Sequence, residues 1–531
     1  MATVIKELRT LKIPLQDVPH GLPKTVNSLC PNCNRILSAN IYEKDKKVYM
    51  DKICPEHGYF RDLISSDAEL YLKAEKWTFE DGKGILNPQV TDAEVCPLDC
   101  GLCQMHKSNA ALTNIDLTNR CNLNCPICFA SASIKDYVYE PSFEQVLEML
   151  KVLKAVKPIP TSAIQFSGGE PTIHPRFLDI LRAARDMGFT HLQAATNGIR
   201  IGRSLEYAHQ CKEAGLYTVY LQFDGIGDEP YEVTRGVALW ELKRKVVENC
   251  RAAGLKIVLV PTIVNSVNDD QIGEILRFAI ENVDVISGIS YQPVAFTGRI
   301  AEEDRERQRF TLADLARCIE EQTGYISAKE DWYPLSVTSP FSKFIAKIKK
   351  RAFMEITCHS DCGLGTYLFV NNREGCVIPI TQLIDIEGLM TDFNRLASKR
   401  EFLSIPSLSA YKAVRIVKKH FRRNRAPSGL SEELCLSIIE TLIDKNKRVE
   451  SPWNLLLVAG MHFQDGYNYN VDRVRRCTIH YVAPDGKLYP FCAYNAGPTF
   501  RNKIERTYSV PVEEWKKRKG EEYITSGFYE G

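Results

Sequence analysis

Short runs rich in β-branched residues alternate with amphipathic segments of helical periodicity through the middle of the chain. This alternation predicts six strands joined by helices, and therefore a parallel sheet. About 180 residues suit an open, partial version of the eight-stranded barrel, in which chemistry lies at the carboxyl ends of the strands. The predicted strands are Leu112–Thr118, Ser162–Ser167, His191–Thr196, Tyr217–Phe223, Lys256–Val264 and Asp284–Gln292; the predicted helices are Phe143–Val156, Pro175–Asp186, Leu205–Ala214, Glu241–Ala253 and Asp270–Ile280.

The chain has 531 residues, which is too long for one hydrophobic core and predicts several domains. We expect an α/β fold class, with a partial (β/α)6 barrel flanked by two smaller units. The expected divisions are residues 1–90 as a metal-binding domain, 91–110 as a short cysteine-bearing segment, 111–300 as the barrel and 301–531 as a C-terminal α+β domain.

Composition excludes several classes of protein. Hydrophobic residues make up 44% and charged residues 25%, which is typical of a folded globular chain rather than a disordered, collagen-like or membrane-bundle one. The formal net charge of +2 argues against a broad nucleic-acid-binding surface. No apolar run approaches the roughly 20 residues of a spanning helix, and Met1–Thr10 lacks a signal-peptide stretch. We therefore expect a cytoplasmic protein that contacts membranes, if at all, only peripherally.

The chain carries 18 cysteines, and most of them are clustered. In a large chain without a signal peptide, such clustering indicates metal sites rather than disulfides. Four others stand alone in helical stretches and are expected to be ordinary buried thiols. These four are Cys211, Cys250, Cys318 and Cys435.

Three cysteines follow the first predicted strand directly: Cys121, Cys125 and Cys128. Thiolates spaced by three and then two residues can hold a four-iron cluster and leave its fourth iron open to an external ligand. On these three residues alone, a zinc knuckle remains an alternative.

Polar and glycine motifs end the next three predicted strands. Gly168-Gly169-Glu170 follows the second, Thr196-Asn197 ends the third, and Gln222 with Asp224 ends the fourth. Together with the cysteine motif, this constellation resembles the radical S-adenosylmethionine (SAM) superfamily. The resemblance implies that Cys121, Cys125 and Cys128 hold the catalytic [4Fe-4S] cluster and that the strand ends bind SAM, with Glu170 accepting its ammonium group. The implied SAM-binding residues are Gly168, Gly169, Glu170, Thr196, Asn197, Gln222 and Asp224.

In that superfamily, one electron from the cluster cleaves SAM and produces a 5′-deoxyadenosyl radical. Such a radical takes hydrogen even from unactivated C–H bonds. The protein must therefore exclude water and hold the target carbon within contact distance.

Two cysteine-proline knuckles lie near the N-terminus, Cys30 with Cys33 and Cys54 with His57. Their spacing suits one tetrahedral mononuclear site, and the ligand types allow either zinc or iron. A zinc ribbon is one interpretation. The other is a site resembling rubredoxin with one histidine in place of a cysteine, which leaves its fourth ligand open.

Eight clustered cysteines remain, the number that two fully ligated four-iron clusters need. Two predicted hairpins near the C-terminus, Gly363–Cys376 and Cys477–Cys492, look like the auxiliary-cluster (SPASM-type) extensions of radical enzymes. Which cysteines share a cluster stays open, and a disulfide or zinc site remains an alternative for Cys477 with Cys492. The eight residues are Cys96, Cys100, Cys103, Cys358, Cys362, Cys376, Cys477 and Cys492.

Two segments interleave basic and apolar residues at helical spacing, Phe341–Phe353 and Tyr411–Arg425. One interpretation is a solvated helix surface. The other is attraction to anionic phospholipid head groups, worth about 1 kcal/mol per basic residue near a charged membrane.

The cysteine layout as a whole resembles the archaeal tetraether lipid synthase group of radical enzymes. The resemblance implies that two phytanyl chains of archaeol-type glycerophospholipids are joined at their terminal methyl carbons. It also implies two radicals per product, an intermediate held on an auxiliary cluster, and an electron donor such as ferredoxin or flavodoxin.

Three other functions remain open at this stage. A radical SAM maturase acting on a peptide or cofactor precursor would share the same hairpins. A non-catalytic electron-transfer module would leave Gly168, Gly169, Glu170 and Asn197 without a purpose. RNA modification is weakened by the near-neutral charge and the few basic–aromatic runs.

Overall fold

The computed structural model describes residues 19–79, 82, 84–132, 136–301, 303–349, 352–398, 406–441 and 449–519. The N-terminal stretch Met1–Thr10 and the basic residues Lys350 and Arg351, which figured in the sequence analysis, lie outside these ranges.

A four-stranded antiparallel sheet in the order β1-β2-β3-β4 forms the N-terminal unit. Its central hairpin turns at Asp45 and Lys46, which both adopt positive φ angles, as a tight two-residue turn requires. Asp67 caps the helix that follows, because its side chain accepts a hydrogen bond from the Leu70 N–H. The elements are β1 Lys24–Leu29, β2 Ile36–Lys44, β3 Lys47–Cys54, β4 Gly58–Ser65 and α1 Ala68–Glu75.

The middle of the chain forms the predicted partial barrel, whose six main strands run parallel in the order β12-β10-β9-β8-β7-β5. Their positions confirm the sequence prediction to within two residues, except that one predicted strand is divided at Pro261, which has no N–H for the ladder. The strands of this region are β5 Leu112–Thr118, β6 Tyr137–Tyr139, β7 Ala163–Gly168, β8 His191–Thr196, β9 Thr218–Gln222, β10 Lys256–Val260, β11 Thr262–Ile263 and β12 Ile286–Pro293.

Helices cover the outer face of this sheet. The crossover from β5 to β7 is fixed by a capping box at Ser142 and Gln145. The outward residues of the strands, such as Ile115 and Phe166, pack against these helices in one large core. The helices are α2 Phe143–Ala155, α3 Phe177–Asp186, α4 Ile199–Arg203, α5 Leu205–Ala214, α6 Glu229–Arg235, α7 Trp240–Ala253 and α8 Ile272–Glu281.

The C-terminal third supplies the remaining elements. Its strands are β13 Tyr333–Pro334, β14 Gly363–Asn371, β15 Cys376–Pro379, β16 Asn454–Met461, β17 Ile479–Val482, β18 Leu488–Pro490 and β19 Ser509–Pro511. Its helices are α9 Arg305–Gln308, α10 Leu312–Thr323, α11 Ser339–Ile348, α12 Ile380–Leu383, α13 Ile386–Ser398, α14 Pro406–His420, α15 Glu432–Glu440, α16 Val471–Arg475, α17 Phe491–Asn495, α18 Phe500–Tyr508 and α19 Val512–Lys519.

These C-terminal strands extend the barrel sheet at both of its edges. Strand β16 pairs parallel with β12, and β17 pairs parallel with β5, so the described C-terminal strands other than β19 continue the barrel sheet. An open barrel leaves two rows of unpaired backbone groups, and this pairing satisfies both. The two predicted hairpins are present as β14–β15 and β17–β18.

The four cysteines expected to be ordinary thiols are all buried, at Cys211, Cys250, Cys318 and Cys435. Among the described helices, none combines the length and the apolarity that crossing a bilayer would need.

Candidate active site and metal centres

The three-cysteine loop leaves the carboxyl end of β5 and is pinned to the far side of the barrel. The N–H of Cys128 donates to the carbonyl of Arg299 at 3.0 Å, and the N–H of Arg299 donates back to Cys128 at 2.9 Å. Gly298 permits this approach, because a Cβ there would lie 2.4 Å from the Phe129 carbonyl oxygen. The loop is therefore held as a rigid element at the strand ends.

The donor set of this loop suits a four-iron cluster with one open iron. Cys121, Cys125 and Cys128 are free thiols, and they interact electrostatically with one another. Backbone N–H groups of Leu123 and Ala132 point at the sulfurs of Cys121 and Cys128, each at 3.4 Å. Burial raises the pKa of Cys121 and of Cys125, so thiolates here need bound iron ions to be stable.

Gly168 and Gly169 bring β7 against the start of the cysteine loop. A Cβ on Gly168, whose φ is +128°, would lie 2.2 Å from the Thr118 oxygen, and one on Gly169 would lie 2.1 Å from the Arg120 oxygen. The Gly169 and Glu170 N–H groups donate to these same two carbonyls, at 2.7 and 2.9 Å. The glycines thus fix the loop against β7, a role that the sequence analysis did not foresee.

The Glu170 carboxylate is buried and already holds several donors. Its Oε1 accepts hydrogen bonds from the hydroxyls of Thr172 at 2.6 Å and Thr196 at 2.7 Å, and its Oε2 accepts from the Asn197 N–H at 2.8 Å. Burial raises the pKa of Glu170. Oε1 also accepts from the Thr172 N–H at 3.1 Å, whereas the Asn197 N–H is the one donor to Oε2 among the described residues, which leaves Oε2 able to accept from an ammonium group.

Asn197 joins the end of β8 to the cysteine loop. Its Nδ2 donates to Asn122 Oδ1 at 2.7 Å and lies 4.0 Å from the Cys121 sulfur. Its carbonyl accepts a hydrogen bond at 2.6 Å from the buried Lys243 Nζ, which also donates to Gln222 Oε1 at 2.9 Å. Burial lowers the pKa of Lys243 to about 7.

Asp224 is committed to protein contacts rather than free for a ligand. Its two oxygens accept from Arg235 Nε at 2.6 Å and Nη2 at 3.0 Å, and also from Gln222, Thr234 and the Thr262 N–H. The sequence analysis assigned Gln222 and Asp224 to cofactor binding. The structure places both at the strand ends as predicted, where Asp224 orients Arg235.

Cys30, Cys33, Cys54 and His57 come together in the N-terminal unit, with all four ligand atoms within 4.8 Å of one another. The Cys54 sulfur lies 3.9 Å from that of Cys33 and 3.5 Å from His57 Nδ1. Burial alone would raise the pKa of Cys54, but hydrogen bonds involving His57 and nearby backbone lower it to about 6. The set fits one tetrahedral metal ion.

A second group, the four-cysteine site, consists of Cys358, Cys362, Cys477 and Cys492. Cys358 and Cys362 precede β14, while Cys477 and Cys492 flank the β17–β18 hairpin. Each of Cys358, Cys362 and Cys477 is acted on electrostatically by other members of the group, so these thiols are neighbours in the fold, although they are not as close to one another as the four N-terminal ligands.

A buried cation faces the four-cysteine site. Burial would lower the pKa of Arg473, but the neighbouring thiolates of Cys362 and Cys492 raise it. The Arg473 guanidinium hydrogen-bonds to Cys362, while its Nε is buried without a hydrogen-bond partner in the described structure. An unpaired guanidinium N–H beside these cysteines fits a bound anionic iron–sulfur cluster as its acceptor.

A third group, the upstream site, consists of Cys96, Cys100 and Cys103. Burial and hydrogen bonding with Cys96 raise the pKa of Cys100. Its loop docks on the β17–β18 hairpin, since Gln89 accepts from the Leu488 N–H at 2.7 Å and donates to the Gly486 carbonyl at 3.0 Å. The two sites therefore share one hairpin.

The structure leaves Cys376 apart from these groups. It lies on β15 beside an apolar cluster of the C-terminal helices, where burial and the charge of Glu374 raise its pKa and no cysteine among the described residues is seen to act on it. We therefore omit Cys376 from both auxiliary sites, although the sequence analysis included it among eight candidate ligands.

The comparisons with known proteins agree with this geometry. Residues 115–279 match the family model described as "Radical SAM superfamily", and residues 22–66 match the "HMPTM N-terminal zinc ribbon domain". The chain is 43% identical over 504 residues to "7,8-dihydro-6-hydroxymethylpterin dimethyltransferase" of Methanocaldococcus jannaschii, covering 93% of this chain and 97% of the relative. The chain belongs to the radical SAM superfamily.

Other relatives of this radical SAM chain match only in part. A "GTP 3′,8-cyclase" of Alkaliphilus oremlandii is 26% identical over 184 residues, covering 34% of this chain and 56% of the relative. Among solved structures, Streptococcus suis SuiB bound to SAM is 20% identical with a TM-score of 0.33, covering 40% of this chain and 47% of that one.

An aromatic wall connects the radical loop to the four-cysteine site. Phe129, next to Cys128, has its ring centroid 5.4 Å from that of Phe491, next to Cys492. Phe463 stacks on Phe491 at 4.1 Å. These rings place an apolar surface between the two cysteine groups.

Part of the basic stretch around α14 forms ion pairs with acidic neighbours. Lys419 pairs with Asp392 at 2.7 Å, and Lys418 and Arg423 both pair with Glu432, at 3.9 and 2.8 Å. This favours the interpretation of a solvated, ion-paired surface over that of a membrane-binding face.

Sequence reasoning missed Lys243 and Arg235. The sequence did indicate a buried Lys243, because this residue falls at helical spacing on the apolar stripe of α7 that contains Val246, Val247 and Cys250. A lysine on an apolar stripe needs buried acceptors. No such pattern marks Arg235, whose partners come from β9 and the cysteine loop.

Proposed function

We propose that this chain forms carbon–carbon bonds at saturated carbons of its substrate, using radicals derived from SAM. The observation that carries the proposal is the aromatic wall, in which Phe129 and Phe491 join the radical loop to the four-cysteine site at 5.4 Å. A substrate against this wall would lie near both groups and away from water.

The residues of the strand ends have distinct tasks in this proposal. The cluster held by Cys121, Cys125 and Cys128 supplies the electron that cleaves SAM. Glu170 accepts the SAM ammonium through Oε2 while its Oε1 holds Thr196 in place. Lys243 donates a hydrogen bond to the Asn197 carbonyl, and this contact holds the turn after β8 in position beside the cysteine loop.

A pterin is the first candidate substrate. The supporting observation is the 43% identity to the pterin dimethyltransferase across 97% of that relative. The inner face of the barrel also suits a polar heterocycle: Gln165 bonds to Asn114 at 2.7 Å and to Gln193 at 2.5 Å, and Tyr220 bonds to Ser290 at 2.9 Å. In this form of the proposal, each of two carbons of 7,8-dihydro-6-hydroxymethylpterin exchanges one hydrogen for a methyl group. For each methylation, one SAM would supply the methyl group and leave as S-adenosylhomocysteine, a second SAM would take the hydrogen and leave as methionine and 5′-deoxyadenosine, and a low-potential donor would supply two electrons.

Lipid chain coupling is the second candidate. It is supported by the tetraether synthase resemblance and by the two auxiliary sites beside an apolar wall. Each coupling would remove one hydrogen atom from each of two methyl carbons and join them, consuming two SAM and two electrons and releasing two 5′-deoxyadenosine and two methionine. A low-potential donor such as ferredoxin or flavodoxin would supply the electrons.

One experiment separates the candidates. The full chain, reconstituted with iron and sulfide without oxygen and reduced, is incubated with SAM and either the dihydropterin or archaeol-type phospholipid deuterated at its terminal methyls. Methylation gives a pterin heavier by two methylene units. Coupling gives deuterated 5′-deoxyadenosine and a lipid lacking two deuterium atoms. SAM cleavage with neither product would point to a peptide or other precursor and contradict both substrates.

A further inference from the structure

Tyr469 belongs to an apolar cluster that includes cysteines of both auxiliary sites, and it is completely buried, with a relative exposure of 0%. Its backbone carbonyl accepts a hydrogen bond from the Ser28 hydroxyl of β1 at 2.6 Å, which fixes the residue in place. Its ring packs on Gly497, where a Cβ would lie 2.9 Å from the ring. The position of the ring is therefore strongly constrained.

The Tyr469 hydroxyl has no hydrogen-bond partner among the described residues, even with sulfur atoms allowed to 4.0 Å. A buried hydroxyl without a partner costs roughly 1–3 kcal/mol. Native proteins seldom carry this cost unless a bound group supplies the partner.

The surroundings of Tyr469 indicate what that group is. Its ring belongs to the apolar cluster that contains Cys96, Cys103 and Cys492, with Cys100 and Cys477 packed against it. The four ionisable groups that act most strongly on its hydroxyl are two from each site. In order, they are Cys492, Cys100, Cys96 and Cys477.

Other buried tyrosines of the same cluster have different surroundings. The Tyr489 hydroxyl donates to Asp485 at 2.6 Å. The charges acting on Tyr494 are those of Asp116 and other non-cysteine groups. Cys100 also acts on Tyr489, but Tyr469 differs from both in having a buried hydroxyl without a partner among the described residues and in being acted on by cysteines of both sites.

We propose that Tyr469 is a positioning residue whose hydroxyl donates a hydrogen bond to an iron–sulfur cluster at the boundary between the upstream site and the four-cysteine site. Hydrogen bonds to cluster sulfurs raise the reduction potential. Tyr469 therefore sets the potential of the auxiliary cluster that it contacts. The inference rests on the auxiliary clusters of the proposed function.

The test compares Tyr469→Phe with wild type in the full chain, reconstituted without oxygen. Potentials are measured by redox titration followed by electron paramagnetic resonance. We expect one auxiliary signal to shift to a more negative midpoint, with iron and sulfide per chain unchanged. Tyr494→Phe, a buried tyrosine in the same cluster, is the matched control and should leave all midpoints in place. Equal midpoints in Tyr469→Phe and wild type would overturn the inference.

A measurement on wild type covers the case in which the variant loses its clusters. After exchange into D2O, pulsed electron paramagnetic resonance should show a deuteron coupled to a reduced auxiliary cluster. The absence of a coupled deuteron would overturn the inference. Iron content distinguishes the two failures: wild type without auxiliary iron refutes the auxiliary clusters themselves, whereas intact clusters without the coupled deuteron refute only the role of Tyr469.

Discussion

Arg235 and Asp224 form a buried two-point ion pair, with Arg235 Nε 2.6 Å from Oδ2 and Nη2 3.0 Å from Oδ1 of Asp224. The remaining nitrogen, Nη1, donates to the Ile127 carbonyl at 3.0 Å, inside the three-cysteine loop. The end of β9 is thus connected to the radical cluster through one guanidinium group.

Arg235→Met should therefore destabilise the protein and loosen the loop. Removing one partner leaves the Asp224 charge buried and unpaired, which costs about 3–5 kcal/mol. We expect a lower denaturant midpoint and less iron bound after reconstitution. Arg244→Met, at an exposed arginine on α7, should change neither. If Arg235→Met combined with Asp224→Asn were no more stable than Arg235→Met alone, the unpaired charge would not be the cause.

Gly168 offers a test of how β7 holds the loop. Gly168→Ala places a methyl group against the Thr118 carbonyl, whereas Gly227→Ala has the same φ of +128° and nothing within 4 Å. Each substitution puts alanine at a positive φ angle, and the resulting backbone strain destabilises the protein by about 1–3 kcal/mol. Only Gly168→Ala should also lose SAM binding, measured by anaerobic equilibrium dialysis. Equal losses in the two variants would show that strain alone matters.

The burial of Lys243 predicts that the stability of the folded protein depends on pH. Burial lowers its pKa from 10.5 to about 7, so between these values the unfolded chain binds a proton that the folded chain does not. The free energy of unfolding should therefore rise with pH in this window, by at most about 1.4 kcal/mol per pH unit, and the full penalty remains below pH 7. In urea titrations from pH 7 to 9.5, Lys243→Met should flatten this slope relative to Lys245→Met, its exposed neighbour. A slope unchanged by Lys243→Met would refute the assignment.

The partition of the late cysteines predicts unequal effects on metal content. Cys477→Ser removes a ligand of the four-cysteine site and should lower iron by about four per chain. Cys376→Ser should leave iron unchanged, because Cys376 lies beside the apolar cluster of the C-terminal helices. Loss of iron from Cys376→Ser would restore this residue as a ligand.

The barrel could be predicted from the sequence because the hydrophobic residues of each strand and each helix recur at the spacing typical of that element. Strands β5 and β8 match their predicted bounds, Leu112–Thr118 and His191–Thr196, without change. Since parallel strands bring their carboxyl ends to one edge, the motifs at those ends were predicted to converge, and the structure brings Glu170, Thr196 and Asn197 together.

Long-range pairing could not be predicted in the same way. The parallel pairing of β16 with β12 and of β17 with β5 depends on the open edges of the barrel, which no local pattern records. The same limit applied to the eight cysteines assigned to auxiliary clusters. Cys362 and Cys492 come together because two distant hairpins meet, while Cys376 lies beside the apolar cluster of the C-terminal helices.

The central claim is that Cys121, Cys125 and Cys128 hold a four-iron cluster whose open iron binds SAM. The most direct measurement is the formation of 5′-deoxyadenosine and methionine from SAM by the reduced, reconstituted full chain. We predict that wild type forms both and that the triple variant with alanine at these three positions forms neither. Wild type that binds zinc at these thiols and leaves SAM intact would contradict the account.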